Sequence, residues 1–333
     1  MMPRTTMIRT TLAATAALLL LSSEAGAWSQ ETHKRIAKDA LQYMNSPAAT
    51  PDMRRAVNFY AGAAGGLNRA AELIGQAAYD VDDFHDTRLG GWWVGYEHAP
   101  LGDLAESLVN YSSYWHFLNL TRGADAHGND HGGYDYRYHT VDGSLLDVDW
   151  YAMVYLYNRD LKSSDFDTTE AHYRQGSSSN RDQHYADFQA MAFQPVDNLG
   201  KYWFDQFKSV PTLQSIGFSL HAVGDASQPH HVYNTIANNH SGWEGWVKDY
   251  YDAEGLADAN AVAGVVPLYD PRTDIRGLIT QVGNEAYRHP EPLYSTDYAT
   301  RVQVAKILIP HAIAANVAVL TKGVNYLHGQ GGN

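Results

Sequence analysis

A short stretch near residue 230 places several metal-ligand side chains at helical spacing. It reads His221-Ala-Val-Gly-Asp225-Ala-Ser-Gln-Pro-His230-His231 and is followed by His240-Ser-Gly-Trp-Glu244. Residues four apart lie on one face of an α-helix, so the pairs His221/Asp225 and His240/Glu244 would each face one ion. Imidazole and carboxylate together suit zinc, and to a lesser degree iron or manganese. The spacing therefore predicts helices that carry a metal site, and a catalytic one is favoured over a structural one.

The first residues have the features of a secretory signal peptide. Arg4 and Arg9 accompany an apolar run from Thr11 to Leu21, and Ala25-Gly26-Ala27 is a typical cleavage site. The run is too short to span a bilayer as a mature helix, which needs roughly 20 residues. We therefore expect residues 1–27 to be removed, and residues 28–333 to be secreted to the periplasm or the medium without a transmembrane anchor.

Composition narrows the sources of stability and the possible partners. The chain has no cysteine, so an exported protein of this size must be stabilised by core burial and bound metal instead of disulfides. Its net charge of −13 argues against an electrostatic grip on nucleic acid or on an anionic membrane. Divalent cations would nevertheless reverse the local potential where a phosphate binds. A phosphate-containing substrate is therefore not excluded.

Helical patterns recur along the chain, and period-two alternation is scarce. The clearest predicted helices are Trp28 to Met44, a helix from Pro51 to Gly65 with Thr50 as its N-cap, a helix from Leu104 to Trp115, Lys201 to Ser227 with a break near Pro211, and Ile307 to Leu327. The last is apolar almost all round, which is typical of a buried core helix. These patterns predict an all-α fold built as a single large multi-helix domain.

A polar stretch at about residues 121–194 interrupts these helical patterns. It is rich in Gly, Ser, Asp, Tyr and His. A long polar segment in a compact domain tends to be a lid or a binding loop, so we expect a surface insertion here. His127, His131 and His139 within it are either an extra metal site or solvated loop residues.

Four earlier residues join the central stretch in a family pattern. Trp28 is the expected new N-terminus, His33 follows five residues later, Asp80 lies in Gly75-Gln-Ala-Ala-Tyr-Asp80, and His116 lies in Tyr-Trp-His116-Phe-Leu-Asn. Taken together, these residues resemble the zinc-dependent phospholipase C and P1-type single-strand nuclease superfamily. The resemblance covers most of the mature chain. It implies a helical fold around three zinc ions, one of which is bound by the free α-amine and carbonyl oxygen of the mature Trp.

The resemblance also implies a ligand set for each ion. Asp80, His116, His221 and Asp225 would hold the first zinc; His231, His240 and Glu244 the second; Trp28 and His33 the third, with Asp225 as a bridge. Each ion keeps a place for water or substrate, as a catalytic site requires. Asp80 would also be the general base, although a zinc-activated water needs none.

Two of these assignments have close competitors in the sequence. Asp82, Asp83 and Asp86 follow Asp80 closely, and we choose Asp80 because its offset from Gly75 matches the family pattern. His230 directly precedes His231. The five residues that separate Asp225 from His231 favour His231 as the ligand.

The superfamily divides by substrate, and this chain has features of both branches. The spacing of Trp28 and His33 resembles the nucleases, whereas Glu244 at the last ligand position resembles the phospholipases. Glu31 matches an acidic position near a choline headgroup, or else simply stabilises the first turn of a helix. Val81 stands where those phospholipases have an aromatic residue.

We therefore expect a phospholipase C, acting as a monomer on phospholipid at a membrane or vesicle surface. Attack of metal-activated water on phosphorus would release diacylglycerol and a phosphorylated headgroup. One alternative is a P1-type single-strand nuclease with 3′-nucleotidase activity, for which nucleic acid is the substrate. The other is an exported zinc-binding protein without turnover.

Overall fold

A computed structural model describes residues 28–81, 116, 118, 120, 137–138, 148–149, 196–233 and 239–329. Several predicted features lie outside these residues: the signal peptide, the helix from Leu104 to Trp115, Asp82, Asp83, Asp86, and most of the predicted insertion at about 121–194 with its three histidines.

Helices make up most of the described chain. They are α1 (Gln30–Met44), α2 (Pro51–Ala64), α3 (Leu67–Asp80), α4 (Val196–Ser209), α5 (Leu213–Ala226), α6 (Pro229–Val232), α7 (His240–Tyr250), α8 (Ala259–Val265), α9 (Ile275–Ala286) and α10 (Tyr298–Leu327), with short 3₁₀ turns at Val266–Leu268 and Glu291–Leu293. Between residues 121 and 194, β1 (Arg137–Tyr138) and β2 (Val148–Asp149) form one short antiparallel pair. Apart from that pair, the predicted all-α class is confirmed for the residues that the structure covers.

The helix boundaries coincide with capping and helix-breaking residues in the sequence. The Thr50 hydroxyl accepts a hydrogen bond from the Met53 amide at 3.3 Å, and Pro51 opens α2 as predicted. Gly65 ends that helix with φ of 80°, a left-handed conformation that favours glycine. The predicted helix from Lys201 to Ser227 is two helices, α4 and α5, separated around Pro211. Proline has no amide hydrogen to donate, which explains the break.

The long helix α10 lies in the protein core. It is apolar and long enough to cross a membrane by length and composition alone, but 89% of its apolar window is buried inside the protein. The expectation of a buried core helix is therefore confirmed. The observed helix starts at Tyr298, where the Asp297 carboxylate accepts a hydrogen bond from the Thr300 amide at 2.9 Å.

Helix α5 is at the centre of the packing and determines where the candidate site forms. It packs most extensively against α3 and α4, and also against α9, α10 and α1. Its contact with α3 is close: a Cβ added at Gly217 would lie 2.6 Å from the Ile74 carbonyl oxygen and 2.6 Å from the Ala77 Cβ. Only glycine permits this approach, which places the following turn of α5 beside the end of α3.

Candidate metal centre

His221 and Asp225 lie one turn apart on α5, as their spacing predicts, and both are fully buried. His221 Nε2 lies 3.0 Å from Asp225 Oδ2. On the other side of the ring, His221 Nδ1 lies 2.6 Å from the carbonyl oxygen of Ala78, at the end of α3. Because a carbonyl only accepts hydrogen bonds, Nδ1 must donate, which leaves the Nε2 lone pair directed at the cluster.

His116 reaches the same point from a distant part of the chain. Its Nδ1 atom lies 2.9 Å from Asp225 Oδ2 and 3.0 Å from His221 Nε2. Three ligand-type atoms therefore meet at nearly equal separations. The ligand atoms of a tetrahedral zinc ion lie about 3.3 Å apart, so a small expansion of this triangle would accommodate one.

His33 on α1 faces the other oxygen of Asp225. His33 Nε2 lies 3.4 Å from Asp225 Oδ1, and its ring stacks on His221 with centroids 3.9 Å apart. The backbone of α5 also approaches closely, since a Cβ at Gly224 would lie 2.4 Å from His33 Nδ1. Burial, with a smaller effect of His221, lowers the pKa of His33 to about 3, so the imidazole is held in its neutral, metal-binding form.

Several polar atoms here are buried without a hydrogen bond. They include both ring nitrogens of His33 and Oδ1 of Asp225, which make none within the part of the chain that the structure describes. Burial alone would raise the pKa of Asp225, but His221 and His116 hold it well below its usual range, so the carboxylate is charged. Buried polar groups are nearly always satisfied, so the unmet bonds of a neutral imidazole and a carboxylate fit a metal ion.

His231, His240 and Glu244 form a second buried cluster. His240 and Glu244 lie one turn apart on α7, with Nε2 2.7 Å from Oε1. His231 on α6 contributes its Nε2 atom, which lies 3.1 Å from His240 Nε2 and 3.8 Å from Glu244 Oε1. Burial lowers the pKa of both histidines, which favours neutral imidazoles with lone pairs available for a metal.

The two clusters adjoin each other through Asp225. His231 Nδ1 lies 3.4 Å from Asp225 Oδ1, the same oxygen that His33 faces. A metal-binding histidine commonly turns its second nitrogen toward a carboxylate, which orients the ring. The structure thus brings together two buried groups that could bind metal ions, His33/His221/Asp225 and His231/His240/Glu244. The identity and number of the ions stay predictions.

Trp28 and Asp80 lie at the ends of elements that border the site. Trp28 is fully buried, packs on Trp243 with ring centroids 5.7 Å apart, and donates from Nε1 to Ser227 Oγ at 2.8 Å. Asp80 is the last residue of α3, is half-buried, and accepts a hydrogen bond from Gln76 Nε2 at 2.7 Å. Neither belongs to the two groups in which all ligand atoms lie within 4.8 Å of one another. Their metal-binding roles stay predictions.

Sequence reasoning missed the groups that support these ligands. They are the Ala78 carbonyl, Gly224, Ser227 and Gln228. The glycine between the two ligands of α5 and the Gln-Pro pair that starts α6 were visible signals, because glycine permits close packing and X-Pro starts a new turn. No sequence signal indicated the role of the Ala78 carbonyl, because every residue has a backbone carbonyl.

Comparison with known proteins does not add a family assignment. No model of a known protein family matches the chain. No curated protein matches its sequence significantly. The motif spacing and the site geometry are therefore the evidence for function.

Proposed function

We propose that the protein is a zinc-dependent phosphodiester hydrolase, most specifically a phospholipase C. The observation that carries this proposal is the convergence of three buried histidines, His33, His116 and His221, on the carboxylate of Asp225, with a second His/His/Glu cluster beside it. Neighbouring metal sites are typical of enzymes that hydrolyse phosphate esters. The resemblance of the same residues to the phospholipase C and P1-type nuclease superfamily supports the same reaction class.

In this proposal each of the residues at the site has a defined role. Zinc at these positions would supply the Lewis acidity that activates water and stabilises charge on the phosphoryl group. Asp225 directs Oδ2 toward His116 and His221 and Oδ1 toward His33, so it would hold metal through both oxygens. The Ala78 carbonyl holds His221 in the tautomer that presents Nε2. Asp80 would orient or deprotonate the attacking water.

The arrangement supports turnover more than storage of metal. The two clusters are drawn from four helices and from His116, and their side chains are almost fully buried. Storage proteins typically use flexible His-rich tracts with exchangeable sites. Rigid placement of ligands on packed helices instead matches the geometric demands of catalysis.

Substrate choice is the finer part of the proposal. Glu244, the last ligand of the second cluster, supports the phospholipase branch. Glu31 lies in the first turn of α1 and pairs with Arg35 at 3.5 Å, so it has a structural partner besides any cationic headgroup. The five-residue interval between Trp28 and His33 favours the alternative, a P1-type nuclease.

Hydrolysis of two substrates by one preparation separates these possibilities. Mature, zinc-loaded protein beginning at Trp28 is assayed on phosphatidylcholine vesicles and on single-stranded DNA, with a chelator control. We expect release of diacylglycerol without DNA cleavage. DNA cleavage alone would assign the nuclease function, and the absence of both activities would leave a metal-binding protein and refute the proposal.

The role of Asp80 is tested by an isosteric change. Asp80→Asn should abolish hydrolysis while most of the zinc is retained, because Asn keeps the shape but loses the charge. Asp52→Asn on α2 is the matched control, since Asp52 is exposed and pairs only with Arg55 among the contacts seen. Full activity of Asp80→Asn would remove Asp80 from the site.

A further inference from the structure

Gln228 lies between the two ligand-bearing segments and is fully buried. It is the N-cap residue of α6, so it directly precedes the turn that carries His230 and His231. Its Oε1 atom accepts a hydrogen bond from the His230 amide at 2.7 Å and lies 3.0 Å from His230 Nδ1. Its Nε2 atom donates to Glu244 Oε1 at 3.0 Å.

The orientation of the Gln228 amide is determined by the backbone. A peptide N–H can only donate, so the atom of Gln228 that faces the His230 amide must be the oxygen. The NH₂ group must then face Glu244, which has to accept with a lone pair. The acceptor is Glu244 Oε1, the same oxygen that lies 2.7 Å from His240 Nε2. Gln228 therefore holds the ligand oxygen of the second cluster in place.

The same amide also fixes the ring of His230, the histidine next to His231. The Gln228 carbonyl only accepts, so His230 Nδ1 must be its donor, and this bond sets the orientation of the His230 ring. The His230 ring stacks on His240 with centroids 4.9 Å apart. His231 meanwhile points Nε2 at His240 Nε2, 3.1 Å away.

We propose that Gln228 is a positioning residue of the second metal cluster, which orients Glu244 as a ligand and ties the adjacent His230 ring through Nδ1. The proposal depends on metal binding at this cluster, as the proposed function does, but not on hydrolysis. Partners that orient metal ligands typically change metal affinity 10–100-fold when they are replaced.

The first test is a metal titration of Gln228→Glu and Gln228→Leu with Co²⁺, followed by its visible absorption and by competition with a chromophoric chelator. The glutamate keeps the acceptor for the His230 amide but places a second carboxylate against Glu244, and the leucine removes every hydrogen bond. We expect one metal equivalent to bind about 10–100-fold more weakly, with the others unchanged. A merely structural role would weaken all equivalents together through loss of the fold.

Gln281→Glu is the matched control, because that amide donates to the Leu268 carbonyl on the surface. It should bind every equivalent as the unchanged protein does. Unaltered affinity in both Gln228 variants would overturn the proposal.

A second pair of variants remains decisive if the Gln228 variants do not fold. His231→Gln should lose one metal equivalent, whereas His230→Gln should retain all of them. Loss of the equivalent in His230→Gln but not in His231→Gln would show that His230 binds the metal, and would refute the arrangement around Gln228 on which the proposal depends. Selective metal loss in a protein that hydrolyses neither lipid nor DNA would support the role of Gln228 and refute the enzymatic proposal. Hydrolysis of lipid or DNA, together with unchanged metal affinity in the Gln228 variants, would support the enzymatic proposal and refute the role of Gln228.

Discussion

Replacing Gly224 by alanine would insert a methyl group between α5 and the ring of His33. The new Cβ would lie 2.4 Å from His33 Nδ1 and 2.7 Å from Cε1, and real Cβ atoms do not approach other atoms so closely. The ring has little room to retreat, because it stacks on His221 at a centroid distance of 3.9 Å. Gly224→Ala must therefore move His33 away from Asp225 or separate α1 from α5.

The expected cost combines two opposing effects. Overpacking a buried site typically costs about 1–3 kcal/mol, while alanine in a helix gains roughly 0.5–1 kcal/mol over glycine. We therefore expect a net loss of up to about 2.5 kcal/mol in the free energy of unfolding of the metal-free protein. In the metal-loaded protein the loss should be larger, because displaced His33 binds metal less well and metal affinity contributes to stability.

Urea unfolding with and without chelator measures both effects, and metal analysis of the purified variant measures occupancy. Gly62→Ala and Gly264→Ala are the matched controls, since both glycines are helical and a Cβ there would meet nothing within 4 Å. Each control should stabilise the protein by about 0.5–1 kcal/mol. If Gly224→Ala behaves like the controls and keeps its full metal content, then His33 does not occupy the position described above.

Three further predictions concern the borders of the site and the surface. One extra residue before Trp28 should weaken one zinc equivalent, because an amide nitrogen cannot replace a free amine; equal zinc affinity of the extended and mature proteins would contradict this. Ser227→Ala removes the acceptor of the Trp28 indole and should cost about 1–3 kcal/mol in urea unfolding, since a buried donor is left unsatisfied; unchanged stability would show that the indole finds another acceptor. Hydrogen bonds from Lys34 and Lys38 lower the pKa of Glu72 to about 2 from 4.5, so its contribution to stability is present above pH 4.5 and is lost as the pH falls toward 2. Glu72→Gln should therefore cost at most about 1 kcal/mol at pH 7, given the exposure of this pair, and nothing near pH 2; a difference that persists at pH 2 would refute the ion-pair explanation.

Much of the helical framework could be predicted from local signals. Thr50, Pro51 and Gly65 defined α2 closely, because capping and left-handed termination depend on the residues themselves. The two ligand pairs on α5 and α7 followed from the helical period alone. The start of α10 was placed nine residues late, at Ile307 instead of Tyr298, because its first turns are less apolar than its buried middle.

The assembly of the site was harder to predict from the sequence than the helices were. That His33, His116 and His231 face one carboxylate is a property of how distant elements pack, and no local pattern determines it. The family resemblance supplied the pairing of His33 and His116 with Asp225, but not the contact of His231 with it. The resemblance did not extend to supporting groups such as Gln228, whose role depends on contacts with both α6 and α7. These contacts become visible only when the helices are in place.

The position of Asp225 has a consequence for how the protein acquires metal. One oxygen of this carboxylate faces His33 and His231, and the other faces His116 and His221. An ion bound on one side holds the side chain still for its neighbours, so the entropy of ordering it is lost once. By thermodynamic linkage, if one ion raises the affinity for a second ion, the second raises the affinity for the first by the same factor. The coupling is small, because ordering one short side chain costs at most about 1 kcal/mol, so one ion changes the affinity for another by at most about fivefold through Asp225. The sites should therefore fill nearly independently, and a change at one cluster should leave the affinity of the others almost unaltered.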